Sequence, residues 1–218
     1  IAWLLNIRGY DNPNSPLPHC RLLLKKDKNF FILCEKSKVK NLIKEKKVTN
    51  KQIINPNNIN NLFNKIRKSK FIVDDKTCSK FYNDSLIKKH KILNKDDPIY
   101  FLKSIKNKKE IANMVKVHVD DGVALTKFLY WIKKSNKNKI TEIDAQNKLE
   151  KLRKKNKKYL FPSFNTIAGT AGNGAIIHYR AKKEHTKKIN KKDIFLCDSG
   201  GQYKYGTTDV TRTICFSK

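Results

Sequence analysis

Hydrophobic residues follow two different patterns in this chain, and the change between them falls near residue 98. Before that point they form short runs of strand length, separated by weakly periodic polar stretches that are typical of surface helices. The predicted strands lie at residues 1–5, 20–24, 30–34 and 71–73, and the predicted helices at 39–47 and 57–68. The five residues at 25–29 suit a hairpin connection. This part of the chain is therefore predicted to form helices that cover a sheet.

A long amphipathic helix is predicted after residue 98. Asp97 can cap it and Pro98 can occupy its first turn. Apolar residues then recur every three or four positions to about residue 135, which is the helical period. The stripe comprises Ile111, Met114, Val115, Val119, Gly122, Leu125, Phe128, Leu129 and Ile132. We expect this stripe to pack on a core, with His118 beside it in a structural role.

A second helix is predicted from Thr141, where Asp144 completes a capping box, into the lysine run 154–158. Beyond it, residues 161–181 contain no lysine and residues 193–217 contain only Lys204. Both segments are rich in β-branched residues and glycine, so they are predicted to form strands with tight turns. Lysine is abundant elsewhere, so its absence indicates a buried sheet, a functional site, or both.

The net charge of the chain is strongly positive but carries little functional information. The chain has 49 Lys+Arg against 19 Asp+Glu, a formal net charge of +30. Of these cations 43 are lysine, spread along the whole length, and Asn and Ile occur 23 times each. Lys, Asn and Ile are all encoded by A/T-rich codons, so genome composition can produce this excess without a selected partner. A nucleic-acid groove would concentrate charge on one face and favour arginine, so the composition argues against a nucleic-acid partner.

The sequence also bears on the cellular compartment. No apolar run approaches the roughly 18 residues of a membrane span, and no secretory leader is recognisable. The five cysteines form no Cys-x-x-Cys pair, and an odd number of cysteines without a signal peptide is typical of reduced thiols in the cytoplasm. Cys34, Cys197 and Cys215 lie in apolar runs and are expected to fill the core. The chain does not begin with Met, so we expect it to be a fragment.

Candidate chemistry is concentrated between residues 196 and 213. Two predicted strands, 194–199 and 207–215, flank a glycine-containing loop, and an antiparallel pairing would bring Asp198 and Asp209 together. Two adjacent carboxylates repel each other unless a proton or a cation lies between them. Oxygen ligands suit Mn²⁺ or Mg²⁺. The spacing alone leaves metal binding and simple turn capping as equal alternatives.

The motif Asp198-Ser-Gly-Gly-Gln-Tyr, followed by Gly206-Thr-Thr-Asp-Val-Thr-Arg-Thr213, resembles the metal-binding strands of the Xaa-Pro aminopeptidases (aminopeptidase P). These are pita-bread metallopeptidases of family M24. Other segments resemble the family in the same order, namely 3–9, 105–110, 121–125, 163–169 and 173–179. The resemblance implies an α/β (α+β) fold. Residues 1–98 would be the end of a creatinase-like N-terminal domain, and residues 99–218 the first half of a pita-bread catalytic domain.

The resemblance also implies a reaction. Family members release the N-terminal residue from peptides with proline in the second position, by a hydroxide that bridges two divalent metal ions, usually Mn²⁺. By resemblance Asp198 chelates one ion, Asp209 bridges both, and His178 binds the substrate near the scissile bond. The family's remaining His and two Glu ligands lie in a C-terminal half that this chain does not contain. We therefore expect these 218 residues alone to have little or no activity.

The implied partners are an X-Pro peptide substrate and a second copy of the chain, because homodimers are frequent in the family; no nucleic acid or membrane is expected. Two other functions remain open on the same fold. One is a prolidase, which prefers dipeptides; the other is a catalytically inactive pita-bread domain used for binding. The sequence between residues 200 and 212 fits the aminopeptidase better, and the presence of Asp198, Asp209 and His178 argues against the inactive domain. A nucleic-acid module would predict binding that weakens steeply with salt.

Overall fold

A computed structural model describes residues 1–135 and 139–216 of the chain. It divides into two compact units. The first unit comprises Ile1–Asn12 and Leu17–Ile105, and the second comprises Pro13–Pro16 and Lys106–Lys218. Each unit has its own buried apolar core, so each is described separately.

The first unit contains short helices and strands. They are α1 (Ala2–Leu5), β1 (Arg21–Leu24), β2 (Phe30–Leu33), α2 (Lys40–Lys44), β3 (Ile53–Ile54), α3 (Ile59–Lys65), β4 (Lys70–Val73), α4 (Lys80–Ile87), β5 (Lys91–Asn94) and α5 (Pro98–Ser104). The predicted hairpin is confirmed, because β1 pairs with β2 antiparallel and Lys25 N donates to Asn29 O at 2.8 Å. β3 runs parallel to β2, and β4 runs parallel to β5.

The first predicted strand, at residues 1–5, is wrong. This segment forms α1, in which Leu5 N donates to Ile1 O at 3.0 Å. Ala, Trp and Leu are adequate or good helix formers, and Asn6 ends the helix in the left-handed conformation with φ 48°. The apolar run at residues 1–5 therefore belongs to a helix of four residues, which is too short to show the helical period in the sequence. Three elements were not predicted, namely β3, α4 and β5, because they are very short or largely polar.

The long helix predicted from residue 98 to 135 is divided in two. Asp97 caps α5 as expected, since its Oδ1 accepts from Ile99 N at 2.8 Å. The chain then leaves the helix and starts again at a second capping box. There Asn107 Oδ1 accepts from Glu110 N, and Glu110 Oε2 accepts from Asn107 N, both at 2.9 Å. This reciprocal cap satisfies the first amides of a new helix and explains the break.

The second unit is built from two helices and six strands among the described residues. They are α6 (Lys108–Lys134), α7 (Glu142–Arg153), β6 (Tyr159–Pro162), β7 (Ile167–Thr170), β8 (Phe195–Ser199), β9 (Gly201–Tyr203), β10 (Gly206–Thr207) and β11 (Val210–Ile214). The predicted capping box of α7 is confirmed, with Thr141 N donating to Asp144 Oδ2 at 2.9 Å. The strands form two antiparallel sheets, ordered β11-β8-β7 and β10-β9-β6.

Only the C-terminal part of the predicted apolar stripe of α6 is buried. Phe128 and Ile132 are fully buried and join α7 and the β11-β8-β7 sheet in one core. Ile111, Val115 and Val119, by contrast, are exposed at 54, 63 and 63 %. In that half of the helix the inward face carries Val117 and Asp121 instead. In this half of the helix the buried carboxylate of Asp121 lies on the inward face. Counting apolar residues along the sequence could not predict that face.

Three further expectations concern individual side chains and membrane spans. His118 lies on the exposed side of α6, where its Nδ1 is 2.9 Å from Met114 O. All five cysteines are free thiols; Cys34 and Cys197 are buried as expected, but Cys215 is exposed. It follows Ile214, which is buried, and successive residues of an extended chain face opposite sides. None of the described helices is long and apolar enough to cross a bilayer.

We expect Phe128→Ala to lower the free energy of unfolding of the second unit by about 3–5 kcal/mol, because it removes a fully buried ring from the core. Tyr130→Ala is the matched control on the same helix. Its ring is 68 % exposed, so its effect should stay within about 0.5 kcal/mol. Chemical denaturation followed by circular dichroism checks both values. Equal losses from the two substitutions would contradict this description of the core.

Candidate functional site

The two candidate metal ligands lie on neighbouring antiparallel strands. β8 pairs with β11 so that Asp198 is directly opposite Thr211, and Thr211 Oγ1 donates to Asp198 Oδ1 at 2.9 Å. Asp209 precedes Thr211 by two residues, just before β11 begins. Residues two apart along an extended chain face the same side, so the register places Asp209 diagonally across from Asp198. The predicted pairing is confirmed, although the connection also contains the β9–β10 hairpin.

These two carboxylates fit part of a divalent metal site. Asp198 is half-buried and Asp209 is exposed, and within the described residues neither forms an ion pair with Lys or Arg. Paired carboxylates without a cationic partner suit a hard divalent cation. The described part of the chain contains no group of three or more His, Cys, Asp or Glu side chains placed to hold a metal. Any further ligands must therefore come from elsewhere.

A buried ion pair lies behind these strands. Asp121 of α6 and Arg153 of α7 are 2 % and 1 % exposed. Arg153 Nε donates to Asp121 Oδ1 at 2.7 Å, and its Nη2 donates to Asp121 Oδ2 at 2.9 Å. This two-point geometry uses the planar guanidinium, which a lysine could not imitate. The pair thus joins the two helices of the second unit.

The same ion pair reaches the residues beside both candidate ligands. Arg153 Nη2 donates to Ser199 Oγ at 3.1 Å, and its Nη1 donates to Gly200 O at 3.4 Å. Thr208 Oγ1 donates to Asp121 Oδ2 at 3.0 Å and accepts from Gly201 N at 2.9 Å. Ser199 follows Asp198 in the chain, and Thr208 precedes Asp209. One buried interaction therefore sets the backbone at both carboxylates.

The protonation states of this cluster follow from its surroundings. Burial by itself raises the pKa of Asp121, but the hydrogen bonds and charge of Arg153, with the hydroxyls of Tyr203 and Thr208, outweigh it and hold that pKa below its usual value. Tyr203 OH donates to Asp121 Oδ1 at 2.6 Å. Burial and this bond raise the pKa of Tyr203 far above its ordinary range. The carboxylate is therefore charged and the phenol protonated near neutral pH.

Gly200 is required where the two strands separate. A Cβ added there would collide with the carbonyl oxygen of Thr208 and with Ser163 Oγ. Ser163 Oγ donates to Thr208 O at 2.8 Å, so these two hydrogen-bonded atoms already occupy the space beside Gly200. Only glycine allows the chain beyond Asp198 to approach the chain before Asp209 this closely.

The predicted substrate residue His178 does not lie on a strand. After β7 the chain forms a 3₁₀ turn, Ala171–Ala175, and His178 follows it in the left-handed conformation with φ 54°. Its side chain is exposed. A left-handed backbone at a non-glycine residue is uncommon, so the surroundings must hold it in place. The strands predicted within residues 161–181 are therefore confirmed only in part, because β6 and β7 form but residues 173–179 are not a strand.

Glu142, at the start of α7, provides that support. Its fully buried carboxylate accepts from two backbone amides, Thr170 N at 2.8 Å and Lys187 N at 2.9 Å. Asn173 Nδ2 lies 3.1 and 3.2 Å from its two oxygens, and Tyr179 OH donates to Oε2 at 2.8 Å. Burial and this bond raise the pKa of Tyr179 to about 12. The segment that contains His178 is thus hydrogen-bonded at both ends, through Thr170 N and Lys187 N, to the carboxylate of Glu142.

A cavity of about 190 Å³ lies in the second unit, beside β7. It is lined by Asn14, Phe164, Asn165, Ile167, His178 and Arg180. Ile167 of β7 is the cross-strand partner of Asp198, so the cavity lies beside the face of the sheet that carries this carboxylate. His178 therefore lines the same cavity as Ile167, the cross-strand neighbour of Asp198.

The sequence argument missed Glu142, Arg153 and Tyr203 as site-building residues. A signal was present for the arginine. Only 6 of the 49 cations are arginine, so the arginines form a short set of candidate positions for a required guanidinium fork, and Arg153 is one of them. Glu142 had no such signal, because an acidic residue in the first turn of a helix is ordinary. Its burial depends on contacts from segments 28 to 45 residues away.

Comparison with known families matches both parts of the chain. The family model of the creatinase/prolidase N-terminal domain matches residues 1–110, and that of metallopeptidase family M24 matches residues 112–218. The two matches follow each other in the order expected from the sequence. They confirm the α/β fold class, with a creatinase-like N-terminal part followed by a pita-bread part.

Similar proteins match over the whole length of the chain. Xaa-Pro aminopeptidase ApepP of Drosophila melanogaster is 38 % identical over 225 residues, covering 100 % of this chain and 36 % of the relative. A probable Xaa-Pro aminopeptidase P of Coccidioides posadasii is 34 % identical, covering 100 % of this chain and 35 % of the relative. The chain therefore spans about a third of the length of the curated relatives it matches.

Solved structures give the same picture of the fold. The X-prolyl aminopeptidase of Caenorhabditis elegans, described as a cytosolic enzyme with a di-nuclear active site, superposes with a TM-score of 0.79 at 25 % identity. The superposition covers 100 % of this chain and 37 % of the other chain. The prolidase of Pyrococcus furiosus superposes with a TM-score of 0.68 at 22 % identity, covering 98 % and 60 %. The second similarity concerns the fold alone.

Replacing Asp121 tests the buried ion pair. We expect Asp121→Asn to lower the free energy of unfolding of the second unit by about 3–5 kcal/mol, because the Arg153 guanidinium stays buried without a counter-charge. Lys116→Gln on the same helix is the control. It breaks the exposed Lys116–Asp120 pair, with an expected effect within about 0.5 kcal/mol. Guanidinium titration compares the two, and similar losses would contradict the importance of the buried pair.

Replacing Glu142 tests the support of the His178 segment. In Glu142→Gln the carboxamide has one acceptor oxygen instead of two, so its donors can no longer all be satisfied. We expect the amides of Thr170 and Lys187 to exchange with solvent at least about tenfold faster, while the amides of β9 keep their protection. Glu110→Gln, at the other helix start, is the control. Unchanged exchange at Thr170 and Lys187 would show that Glu142 is not what holds this segment.

Proposed function

Because this chain belongs to metallopeptidase family M24, with the creatinase/prolidase N-terminal domain ahead of the peptidase part, we propose that it is part of an Xaa-Pro aminopeptidase. The substrate class is peptides with proline in the second position, and the reaction is hydrolysis of the bond before that proline. The chain spans 36 % of its Drosophila relative. The proposal therefore concerns the full-length protein that contains these residues, called here the whole protein.

The register of β8 and β11 is the observation that supports this proposal most. It sets Asp198 and Asp209 diagonally opposite each other, without a cationic partner among the described residues. The buried Asp121–Arg153 pair holds the residues next to both carboxylates. A pair of turn-capping aspartates would need no such support. The arrangement therefore favours metal binding over the alternative that the sequence left open.

Each site residue has a distinct proposed role. Asp198 and Asp209 would hold two divalent ions, Mn²⁺ in this proposal, together with further ligands supplied by residues outside this chain. Such ions would lower the pKa of bound water and polarise the scissile carbonyl. His178 stands beside the cavity next to Asp198 and donates a hydrogen bond to the substrate near the scissile bond. The tie between Glu142 and Tyr179 keeps His178 in that position.

The organisation of the whole protein is also part of the proposal. Residues 1–98 are the end of the N-terminal domain, and residues 99–218 are the first part of the catalytic domain. The protein acts in the cytoplasm, like the relative described as a cytosolic enzyme, and forms a homodimer. The 218 residues alone lack part of the metal site and have little or no activity. A prolidase remains the alternative, since prolidases share this fold.

A peptidase assay tests the proposal. With Mn²⁺ the whole protein should release the first residue from X-Pro-containing tripeptides and longer peptides, and should leave the matching X-Ala peptides intact. A chelator should abolish the activity, because the chemistry depends on the ions. Asp198→Asn and Asp209→Asn should each lower kcat/KM by at least about a hundredfold. Mass spectrometry of the products identifies the cleaved bond.

Asp84→Asn is the control for these substitutions, since it removes a half-buried carboxylate of the first unit whose ion pair within the described residues is with Lys80. It should leave kcat/KM unchanged. Cleavage of X-Pro dipeptides with no cleavage of longer peptides would favour the prolidase instead. Absence of any X-Pro hydrolysis would refute the proposal. Turnover of an X-Pro peptide by the 218 residues alone would refute the claim that this part is inactive.

A further inference from the structure

Two buried cysteines of the first unit, Cys20 and Cys34, have no part in the proposed function. Cys20 comes directly before β1 and Cys34 directly after β2. Both are free thiols, and they are 7 and 4 % exposed. β1 and β2 pair antiparallel, with Arg21 opposite Leu33. The same register, continued by one residue, sets Cys20 directly opposite Cys34 at the open end of the hairpin.

The hydrogen bonds of the hairpin show how close the two cysteines lie. At the closed end Lys25 N donates to Asn29 O at 2.8 Å. Opposite residues of an antiparallel pair alternate between hydrogen-bonded and non-hydrogen-bonded positions, and counting from Lys25 places Cys20 and Cys34 at a non-hydrogen-bonded position. The Cα atoms at such a position are about 4.5 Å apart. This separation falls within the range of about 4.4 to 6.8 Å that a disulfide can bridge.

The two thiols also point to the same side of the hairpin. Cys20, Ile32 and Cys34 belong to one buried apolar cluster, whereas Leu33 belongs to the other cluster of this unit. Successive residues of a strand face opposite sides, so this division gives the face of each side chain. Burial raises the pKa of both thiols, and the neighbouring Cys20 raises the pKa of Cys34 further. The closed hairpin therefore holds two adjacent, protonated thiols.

The other three cysteines are not paired in this way within the described strands. Cys197 of β8 lies opposite Ala168 of β7 on one side and Arg212 of β11 on the other. Cys78 lies between β4 and α4, and Cys215 follows β11. None of these three has a cysteine at the facing position of a neighbouring strand. They therefore serve as internal references for a reaction that needs two opposed thiols.

Cys20 is the thiol that a reagent reaches first. β1 is the edge strand of the sheet ordered β1-β2-β3, and residues 6–19 before it, all of them described, contain no helix or strand. Cys34 is held on the other side, because its N–H donates to Ile54 O at 3.1 Å. Opening of the end of an edge strand costs less free energy than unfolding of the whole unit. Such opening exposes Cys20 while Cys34 stays in place.

We propose that Cys20 and Cys34 are a modification site, at which exchange with a small disulfide of the glutathione class forms a reversible disulfide between the ends of β1 and β2. The Cys20 thiolate attacks one sulfur of the small disulfide, breaks its S–S bond and releases one small thiolate. The Cys34 thiolate then attacks Cys20 Sγ in the mixed disulfide and releases the second small thiolate. The two released thiolates take up the two protons lost by the cysteines. The protein is oxidised and the small disulfide is reduced.

Peptide mapping of the whole protein tests this proposal. The native protein is incubated with glutathione disulfide, the remaining thiols are alkylated, and trypsin then cuts between the two cysteines, after Arg21 and Lys28. Mass spectrometry should find residues 9–21 joined to residues 29–36, lighter by two hydrogen atoms than the two reduced peptides together. Dithiothreitol should separate them. Cys78→Ser is the matched control and should leave the joined peptide unchanged.

Two further variants test the order of the two attacks. In Cys34→Ser the mixed disulfide cannot be resolved, so Cys20 should retain one glutathione. In Cys20→Ser the remaining thiol at Cys34 should stay unmodified over the time in which the exposed Cys215 reacts. Glutathione on Cys34 and none on Cys20 in these variants would overturn the proposed order.

Hydrogen exchange measures what the disulfide does to the hairpin. In the oxidised protein the amides of β1 should exchange at least about tenfold more slowly than in the reduced protein, because the cross-link opposes opening of the edge strand. The amides of β4 should exchange equally in both forms. Glutathione on Cys215 without the joined peptide would overturn the proposal, and so would a joined peptide that forms only after denaturation. Neither readout depends on peptidase activity.

Discussion

The second unit depends on the buried ion pair between Asp121 and Arg153. Removing two charges from water is costly, and such a pair persists only where its remaining hydrogen bonds are satisfied. Here they are satisfied by Ser199, Tyr203, Thr208 and the carbonyl of Gly200. The two helices are therefore fixed to each other and to both strands that carry the candidate ligands. Stability and site geometry follow from the same contacts.

A second buried carboxylate, Glu142, has a complementary role, and it forms no ion pair with Lys or Arg in the part of the chain that the structure describes. Two backbone amides, an asparagine amide and a tyrosine hydroxyl surround it. Hydrogen bonds from neutral donors can hold a buried charge when they are numerous and well aimed. Asp121 thus orders the strands, and Glu142 orders the irregular segment that presents His178. The exposed candidate residues Asp209 and His178 are therefore supported by acidic groups that lie inside the fold.

The sequence revealed the local features well. The hairpin at 25–29, the caps at Asp97 and Thr141, and the β8–β11 pairing were predicted from short-range signals and are confirmed. The break before α6 and the burial of Asp121 were missed, because the first depends on a polar cap within an apolar pattern and the second on a partner 32 residues away. The absence of lysine from 161–181 and 193–217 located the candidate site, but the buried charged residues that support it, Asp121, Glu142 and Arg153, lie outside those segments.

Hydrogen exchange in Arg153→Lys tests the central claim most directly. Lysine keeps the charge but loses the fork that reaches Asp121, Ser199 and Gly200 together. The amide of Gly201, bonded to Thr208 Oγ1 behind the two aspartates, reports the order of this region. The account predicts at least about tenfold faster exchange at Gly201 and Val210, with the amides of β1 and β2 unchanged. Full protection of Gly201 in this variant would contradict the claim that the ion pair holds the site.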